Sequence, residues 1–214
     1  MSRRTPANKK LGRPRDVDST ETRSNLLEVA RRIFARDGYG ATTNRSIAEE
    51  AGITTGAIYH YFPSKAELYA AVYEVVQHIV YDRFDQALVV PGSLTQRFSR
   101  ALDAAVELNR SDSSIAGFLV TVPSETLRHP ELAELVMPIR ERTATFVGRL
   151  VADASAANEF VDGVKPRAVE DLLNSVLSGL AIFSTITGDV ARHADAIRAL
   201  QQFLDGVLVK PRQQ

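Results

Sequence analysis

Apolar residues recur at helical spacing along most of this chain, and no segment shows the strict alternation that is typical of a strand. Residues 21–37 place Leu26, Leu27, Ala30, Ile33 and Phe34 on one stripe, which predicts an amphipathic helix that ends before a glycine. Eight further helices are predicted at residues 44–51, 55–61, 64–89, 94–109, 113–122, 130–156, 166–187 and 190–209. The pattern therefore predicts an all-α fold of about nine helices.

Prolines and glycines divide this pattern. Pro91 and Gly92 end the fourth predicted helix, and Pro123 either kinks or ends the sixth. Pro138 lies inside the seventh predicted helix and should kink it.

A helix, a tight turn and a short helix follow one another within residues 44–61. Gly52 can adopt the left-handed conformation that ends the first helix, and Thr54 is a suitable N-cap for the second. The second helix should place Ala57, Ile58 and Tyr61 on its buried side, and should expose Thr55, Gly56, Tyr59 and His60. This order is typical of a helix-turn-helix, whose second helix can enter a major groove. The alternative is an ordinary helical hairpin.

The charge of the chain is unevenly distributed, although its net charge is zero. Residues 1–65 hold 12 Lys/Arg and 7 Asp/Glu, a net +5, and residues 66–214 hold 14 and 19, a net −5. A basic N-terminal segment on an acidic body favours a polyanionic partner such as DNA.

The first 20 residues are polar and aperiodic, and we interpret them as a disordered basic arm. Within them, Gly12-Arg13-Pro14-Arg15 resembles an AT-hook, in which arginines enter a narrow A·T-rich minor groove. The alternative is a solvated tail that attracts phosphates without entering the groove.

Several classes of function lack their sequence features. The chain has no cysteine, so disulfides and thiolate metal sites are excluded. The four histidines have no metal-ligand spacing, and no nucleophile elbow or phosphate-binding loop is present. No apolar run is long enough to span a membrane, and no secretory signal is evident. We therefore expect a cytoplasmic protein that is not an enzyme and that needs no cofactor or metal.

The string AxxIFAxxGYxATTxxxIAxxAGxTxGAIYHYFxSKxEL, at about residues 26–68, resembles the DNA-binding region of the TetR family of transcriptional regulators. The match covers roughly a fifth of the chain. The resemblance implies a homodimeric repressor that binds a palindromic operator in double-stranded DNA and that a small-molecule ligand releases. It also implies three segments: an arm at 1–20, a helix-turn-helix domain at 21–66, and a helical effector-binding and dimerisation domain at 67–214.

By this resemblance, a set of residues on the helix-turn-helix and the following helix should meet DNA: Thr43, Asn44, Arg45, Thr54, Thr55, Gly56, Tyr59, His60 and Lys65, with Arg13 and Arg15 from the arm. Arg45 could contact either a guanine edge or a phosphate. Lys65 begins the fourth predicted helix, where its charge and the helix dipole suit a phosphate. Thr55 and Ala57 are shorter than the polar residues that many relatives carry, which favours contacts to thymine methyl groups.

The resemblance further implies a ligand pocket and a dimer interface in the second domain. The pocket would hold an apolar or aromatic effector and would be lined by Tyr73, Gln77, Phe98, Leu102, Phe118, Val122 and Phe146. The last two helices would meet their symmetry mates through Leu173, Val176, Leu177, Leu180, Leu200, Phe203 and Leu204. Two other functions stay open: a DNA-binding protein without an effector, whose core between these helices would be filled, and a helical adaptor or enzyme.

Overall fold

A computed structural model describes the backbone of residues 15–206. Within that range the chain forms ten α-helices and no strand: α1 Arg15–Ala41, α2 Asn44–Ala51, α3 Thr55–Tyr61, α4 Lys65–Ala87, α5 Leu94–Ser111, α6 Ser113–Arg128, α7 Pro130–Val136, α8 Glu141–Ala156, α9 Pro166–Thr187 and α10 Val190–Leu204. A short 3-10 turn, Pro138–Arg140, separates α7 from α8. The all-α prediction is confirmed for the described residues.

The first three helices form a small module around the apolar stripe of α1. Leu26, Ile33 and Phe34 of α1 are completely buried together with Ile47 of α2 and Ile58 of α3. The stripe that the sequence predicted for the first helix is therefore the centre of this module's core.

Two helices connect this module to the rest of the chain. α4 packs against α1 at its start and against α5, α7 and α8 further along, while α6 packs against both α1 and α9. α10 packs against α5 and α9. The predicted domain boundary at residue 66 falls in the first turn of α4, so one continuous helix crosses it.

The first helix is longer than the sequence predicted. α1 begins at Arg15, so the last six residues of the predicted arm are helical, and Ser19 Oγ lies 3.3 Å from Tyr61 Oη. Residues 15–20 contain no glycine or proline, so nothing in the backbone opposes a helix there, although they lack the apolar period. Gly38 breaks α1 with φ +76°, as its position predicted, before one more turn leads to Ala41. Residues 1–14, with Arg13, lie outside the described residues.

The prolines account for the difference between nine and ten helices. Pro138 has no N–H to donate, and the chain at 138–140 tightens into the 3-10 turn instead of bending one continuous helix. Pro123 does not end α6, which continues to Arg128. Phe118, Val122 and Glu125 are buried on either side of it, and this packing outweighs the lost hydrogen bond. α10 ends at Leu204, and residues 207–209 of its predicted range lie outside the described residues.

Candidate nucleic-acid interface and effector cavity

Side-chain caps define both helices of the helix-turn-helix. Thr43 Oγ1 accepts from Ser46 N at 3.0 Å at the start of α2, and Thr54 Oγ1 accepts from Ala57 N at 3.1 Å at the start of α3. Between them Gly52 adopts φ +68° and donates its N–H back to the last turn of α2. This conformation suits glycine, which has no Cβ, and it turns the chain directly into α3.

The face of α3 opposite its buried Ile58 is open to solvent. Gly56 and His60 are exposed, and Tyr59 keeps 54% of its surface accessible. Thr55 is half-buried at the first turn. A seven-residue helix with small residues at its start and longer polar rings at its end has a shape that can enter a major groove.

The predicted DNA-contacting residues of α2 have different surroundings. Arg45 is 83% exposed in its side chain and forms an ion pair with Glu49, whose Oε1 lies 2.9 Å from Arg45 Nε. Thr43 is engaged in its cap. Asn44 is buried, and its Oδ1 has no hydrogen-bond partner, so this amide would have to rotate to reach DNA.

Lys65 has partners that the sequence did not reveal. Its Nζ donates to the carbonyl oxygens of Tyr39 and Thr42, each at 2.7 Å, and lies 4.1 Å from the centre of the Tyr39 ring. Burial lowers the pKa of Lys65, and the charges of Glu125 and Glu131 partly offset this. A phosphate contact would therefore use its third N–H or replace one of these bonds.

A carboxylate of α6 joins the body of the protein to the module. Glu125 is buried, and its Oε1 accepts from Tyr39 N at 3.3 Å, while its Oε2 lies 3.5 Å from His129 Nε2. A Cβ at Gly38 would lie 2.8 Å from the same Oε1. Sequence reasoning missed Glu125 because the backbone N–H that it binds, that of Tyr39, is 86 residues away along the chain.

The second domain contains a cavity of about 510 Å³. Its wall is mostly apolar and is formed by residues of α4, α5, α6, α8 and α9 together with the 3-10 turn and the start of α10. A cavity of this volume is in the range of sites for drug-sized ligands. A fully packed core, which the sequence left open, is not what the structure shows.

The predicted lining residues divide into two groups. Tyr73, Gln77, Leu102 and Val122 do line the cavity. The three phenylalanines do not line it and are buried in the surrounding core: Phe98, Phe118 and Phe146. Burial raises the pKa of Tyr73 to about 12, so its phenol stays neutral and can donate a hydrogen bond.

Further polar residues at the cavity come from positions that the sequence analysis did not propose as lining residues. Asn109 of α5 and His193 of α10 are buried and lie 3.4 Å apart between Nδ2 and Nδ1. Asn174 of α9 also lines the wall, and its Oδ1 is buried without a partner. The available signal was a polar residue on the apolar stripe of each helix, such as Asn174 beside Leu173.

The predicted dimer residues also differ in their exposure. Leu173 is buried within the single chain, while Leu177 and Leu180 are half-buried and also line the cavity. Val176, Leu200 and Leu204 are half-buried against the core. Phe203 is 63% exposed. The sequence could not distinguish the two apolar faces of α9, because only tertiary packing decides which face is covered.

The fold and the exposed face of α3 define the class of the protein. It is an all-α helix-turn-helix protein whose helical second domain contains a cavity. Among the described residues, no group of three His, Asp or Glu could hold a metal ion.

Comparison with known proteins identifies the family. Residues 26–72 match the family model of bacterial regulatory proteins of the tetR family, and residues 94–209 match the model of the C-terminal part of BetI-type transcriptional repressors. The second match alone covers more than half of the chain. The chain therefore belongs to the TetR family and is a DNA-binding transcriptional regulator.

Individual relatives extend over nearly the whole chain. The HTH-type transcriptional regulator UidR of Escherichia coli K12 is 23% identical over 192 residues, which are 90% of this chain and 95% of UidR. Salmonella enterica GusR superposes with a TM-score of 0.69 at 25% identity and covers 94% of this chain and 99% of its own. FadR of Bacillus subtilis, solved in complex with stearoyl-CoA, has a TM-score of 0.72 at 14% identity over 87% and 99% of the two chains.

Proposed function

We propose that the protein is a homodimeric repressor that binds two half-sites of an operator and leaves it when an apolar or aromatic small molecule occupies the cavity. One observation carries this proposal: the helices that line the cavity are the helices that hold the DNA-binding module. α4 starts at Lys65, which is bonded to α1 and its following turn, and passes the cavity at Tyr73 and Gln77. α6 lines the cavity at Val122 and reaches Tyr39 N through Glu125.

This connection makes a ligand able to change the position of the module. A ligand that binds only one of two helix arrangements shifts the population towards that arrangement, and about 5.5 kcal/mol of differential binding converts a mostly active population into a mostly inactive one. The bound stearoyl-CoA of FadR supports ligand binding within this fold. The site of action would be the cytoplasm, where the DNA is accessible.

A second copy of the chain suits the uncovered side of α9. Only 11% of the most apolar 18-residue stretch of α9 is buried in the single chain. Leu172, Ile182 and Ile186 of this helix are exposed apolar side chains, as is Phe203 of α10. By length and composition alone, α9 is also the one described helix that could cross a membrane. In a DNA-binding regulator, a symmetric dimer is the simpler partner, since it presents two recognition helices to two half-sites.

The DNA contacts are tested with an operator fragment selected from genomic DNA. Arg45→Ala should reduce the preference for guanine at one base pair of the operator by about 1–3 kcal/mol, if the guanidinium of the wild type leaves Glu49 to contact that base. Tyr59→Ala should weaken binding equally on all sequences and lower the salt dependence, because a phosphate contact acts by counterion release. An equal loss of affinity on all DNA sequences in the Arg45 variant would assign Arg45 to a contact with the DNA backbone instead.

The ligand response is tested by filling the cavity from a small wall residue. Ala116→Leu enlarges a side chain on the cavity side of α6, and Leu127→Phe is its control on the exposed side of the same helix. The Ala116 variant should bind the operator normally and no longer be released by ligands that release the wild type. Release of both variants by the same ligand would place the effector site elsewhere.

A further inference from the structure

Arg31 is a buried cation on the helix that forms the core of the DNA-binding module. It lies on α1, and only 6% of its surface is exposed. A buried guanidinium needs partners, because its desolvation is otherwise uncompensated. Its partners lie in the second domain: Nη2 forms an ion pair with Asp112, and Nε donates to Ser114 Oγ at 3.0 Å. Arg31 therefore joins the module to a turn that lies 81 residues further along the chain.

The acceptor of this ion pair is the residue at which α5 turns into α6. Asp112 N donates to Leu108 O at 2.9 Å, and Asp112 Oδ1 accepts from Ser114 N at 3.0 Å and from Ser114 Oγ at 2.6 Å. The other carboxylate oxygen, Oδ2, accepts from Arg31. The two donors on one edge of the planar guanidinium thus close a ring of hydrogen bonds with Asp112 and Ser114. Such a fork fixes direction as well as distance.

Between its ends, the contact of α1 with α6 is apolar. A Cβ at Gly117 would lie 3.4 Å from Ala35 Cβ, and the ring centres of Phe34 and Phe118 lie 6.4 Å apart. Apolar contacts are not directional, so they allow one helix to slide or rotate against the other. Hydrogen bonds are directional. The register of α1 against α6 therefore depends on the polar contacts at the ends of this interface.

The two polar contacts hold different parts of α1. Gly38 breaks the helix between them. Glu125 binds Tyr39 N after the break, whereas Asp112 binds Arg31 in the long helix before it. That long helix carries the buried stripe against which α2 and α3 pack. The contact at Arg31 is therefore the one that holds the rigid part of the module.

We propose that Arg31, held by Asp112 and Ser114, is a positioning residue for DNA binding. It sets the angle at which the module, and with it α3, stands on the second domain. This inference rests on the homodimeric part of the proposed function, because the angle of a module matters only when two modules must reach two half-sites at a fixed spacing. A change in that angle weakens binding to a complete operator and leaves binding to a single half-site unchanged.

The test compares the selected operator with the same fragment in which one half-site is scrambled. Fluorescence anisotropy at one salt concentration gives both affinities, and the wild type should bind the complete operator more tightly. Arg31→Met keeps the length of the side chain, and Asp112 is 34% exposed, so its carboxylate stays in contact with water. This variant should bind the operator about tenfold more weakly, since one hydrogen bond between charged groups is lost. Its affinity for the half-site should not change.

Asp112→Asn breaks the ion pair from the other side. Asparagine is an equally good N-cap, so α6 keeps its first turn while the carboxylate is removed. This variant should show the same loss, and the double variant should lose no more than either single one, because each removes the same interaction. Arg32→Met is the matched control. Arg32 is exposed and pairs with Glu28 on its own helix, so the ratio of operator affinity to half-site affinity should stay that of the wild type.

Four results overturn the inference. The variants keep the wild-type ratio; they lose as much affinity for the half-site as for the operator, which assigns the ion pair to the stability of the module alone; the double variant loses the product of the two single effects; or a variant that loses the ratio sediments as a monomer, so that the dimer and not the angle was lost. A wild type that binds both fragments equally contradicts the homodimeric function and this inference together. A wild-type preference that the variants retain contradicts the inference alone.

Discussion

Replacement of Lys65 by methionine separates a structural role of this residue from a phosphate contact. In the structure its Nζ bonds the carbonyl oxygens of Tyr39 and Thr42 and lies over the Tyr39 ring, where it closes the end of α1 against the start of α4. Methionine has a similar length and removes the charge and all three donors. We expect the module to lose stability and, once folded, to keep its salt-dependent affinity for DNA.

The size of the effect follows from these three contacts. Each hydrogen bond from a charged donor contributes about 1.5–3 kcal/mol, and the ring contact adds about 0.5–1 kcal/mol. The lowered pKa of Lys65 shows that desolvation of the ammonium group outweighs the favourable charges of Glu125 and Glu131, so the net gain is well below the sum of these contacts. A net loss of about 2–4 kcal/mol remains, which for a chain of this size lowers the melting temperature by roughly 4–15 °C.

Two measurements decide the result. Thermal unfolding followed by circular dichroism gives the change in melting temperature, and operator binding at several salt concentrations gives the number of phosphate contacts. Lys165→Met, at an exposed lysine before α9, is the control and should change the melting temperature very little. An unchanged melting temperature together with a salt slope reduced by about one contact would refute the structural role.

Three further changes probe the dimer, the cavity and the junction. Phe203→Asp should convert the dimer to a folded monomer in sedimentation, whereas Leu127→Asp, on α6, should leave it dimeric. The wild type should lose stability as the pH falls below the ordinary histidine value of 6.5, because the unfolded chain takes up a proton that buried His193 resists; His193→Gln should lose less in thermal unfolding at acidic pH. Gly38→Ala should lower the free energy of unfolding in chemical denaturation by about 1–3 kcal/mol, because its φ is positive and a carboxylate oxygen of α6 lies 2.8 Å from the new Cβ. Gly40→Ala has neither feature and should lower the free energy of unfolding less.

Local features of the sequence determined the helix-turn-helix. The caps at Thr43, Thr54 and Ser64 each bond a backbone N–H three residues ahead, and Gly52 ends α2 through its own dihedral angles. Such interactions depend on neighbours within one helical turn, so they can be read without knowing the fold. The same holds for the apolar stripe of α1, whose period identifies its buried face.

Only the tertiary structure decided which apolar residues face the core, the cavity or solvent. Phe118 and Val122 lie on the same stripe of α6, yet the first is packed in the core and the second lines the cavity. On α9, Leu173 is buried while neighbouring Leu172 is 60% exposed. Helical period identifies an apolar face, but a void and an uncovered surface arise from the angles and distances at which separate helices cross, and no short stretch of sequence contains that information.

The partners of the buried polar groups were decided in the same way. Lys65 meets carbonyl groups 23 and 26 residues earlier, and Glu125 meets a backbone N–H 86 residues away. The residue type alone indicates that such a group needs a partner when it is buried, because the cost of its desolvation is otherwise uncompensated. Which partner satisfies it depends on the assembled fold, and for Asn174 Oδ1 the described chain supplies none.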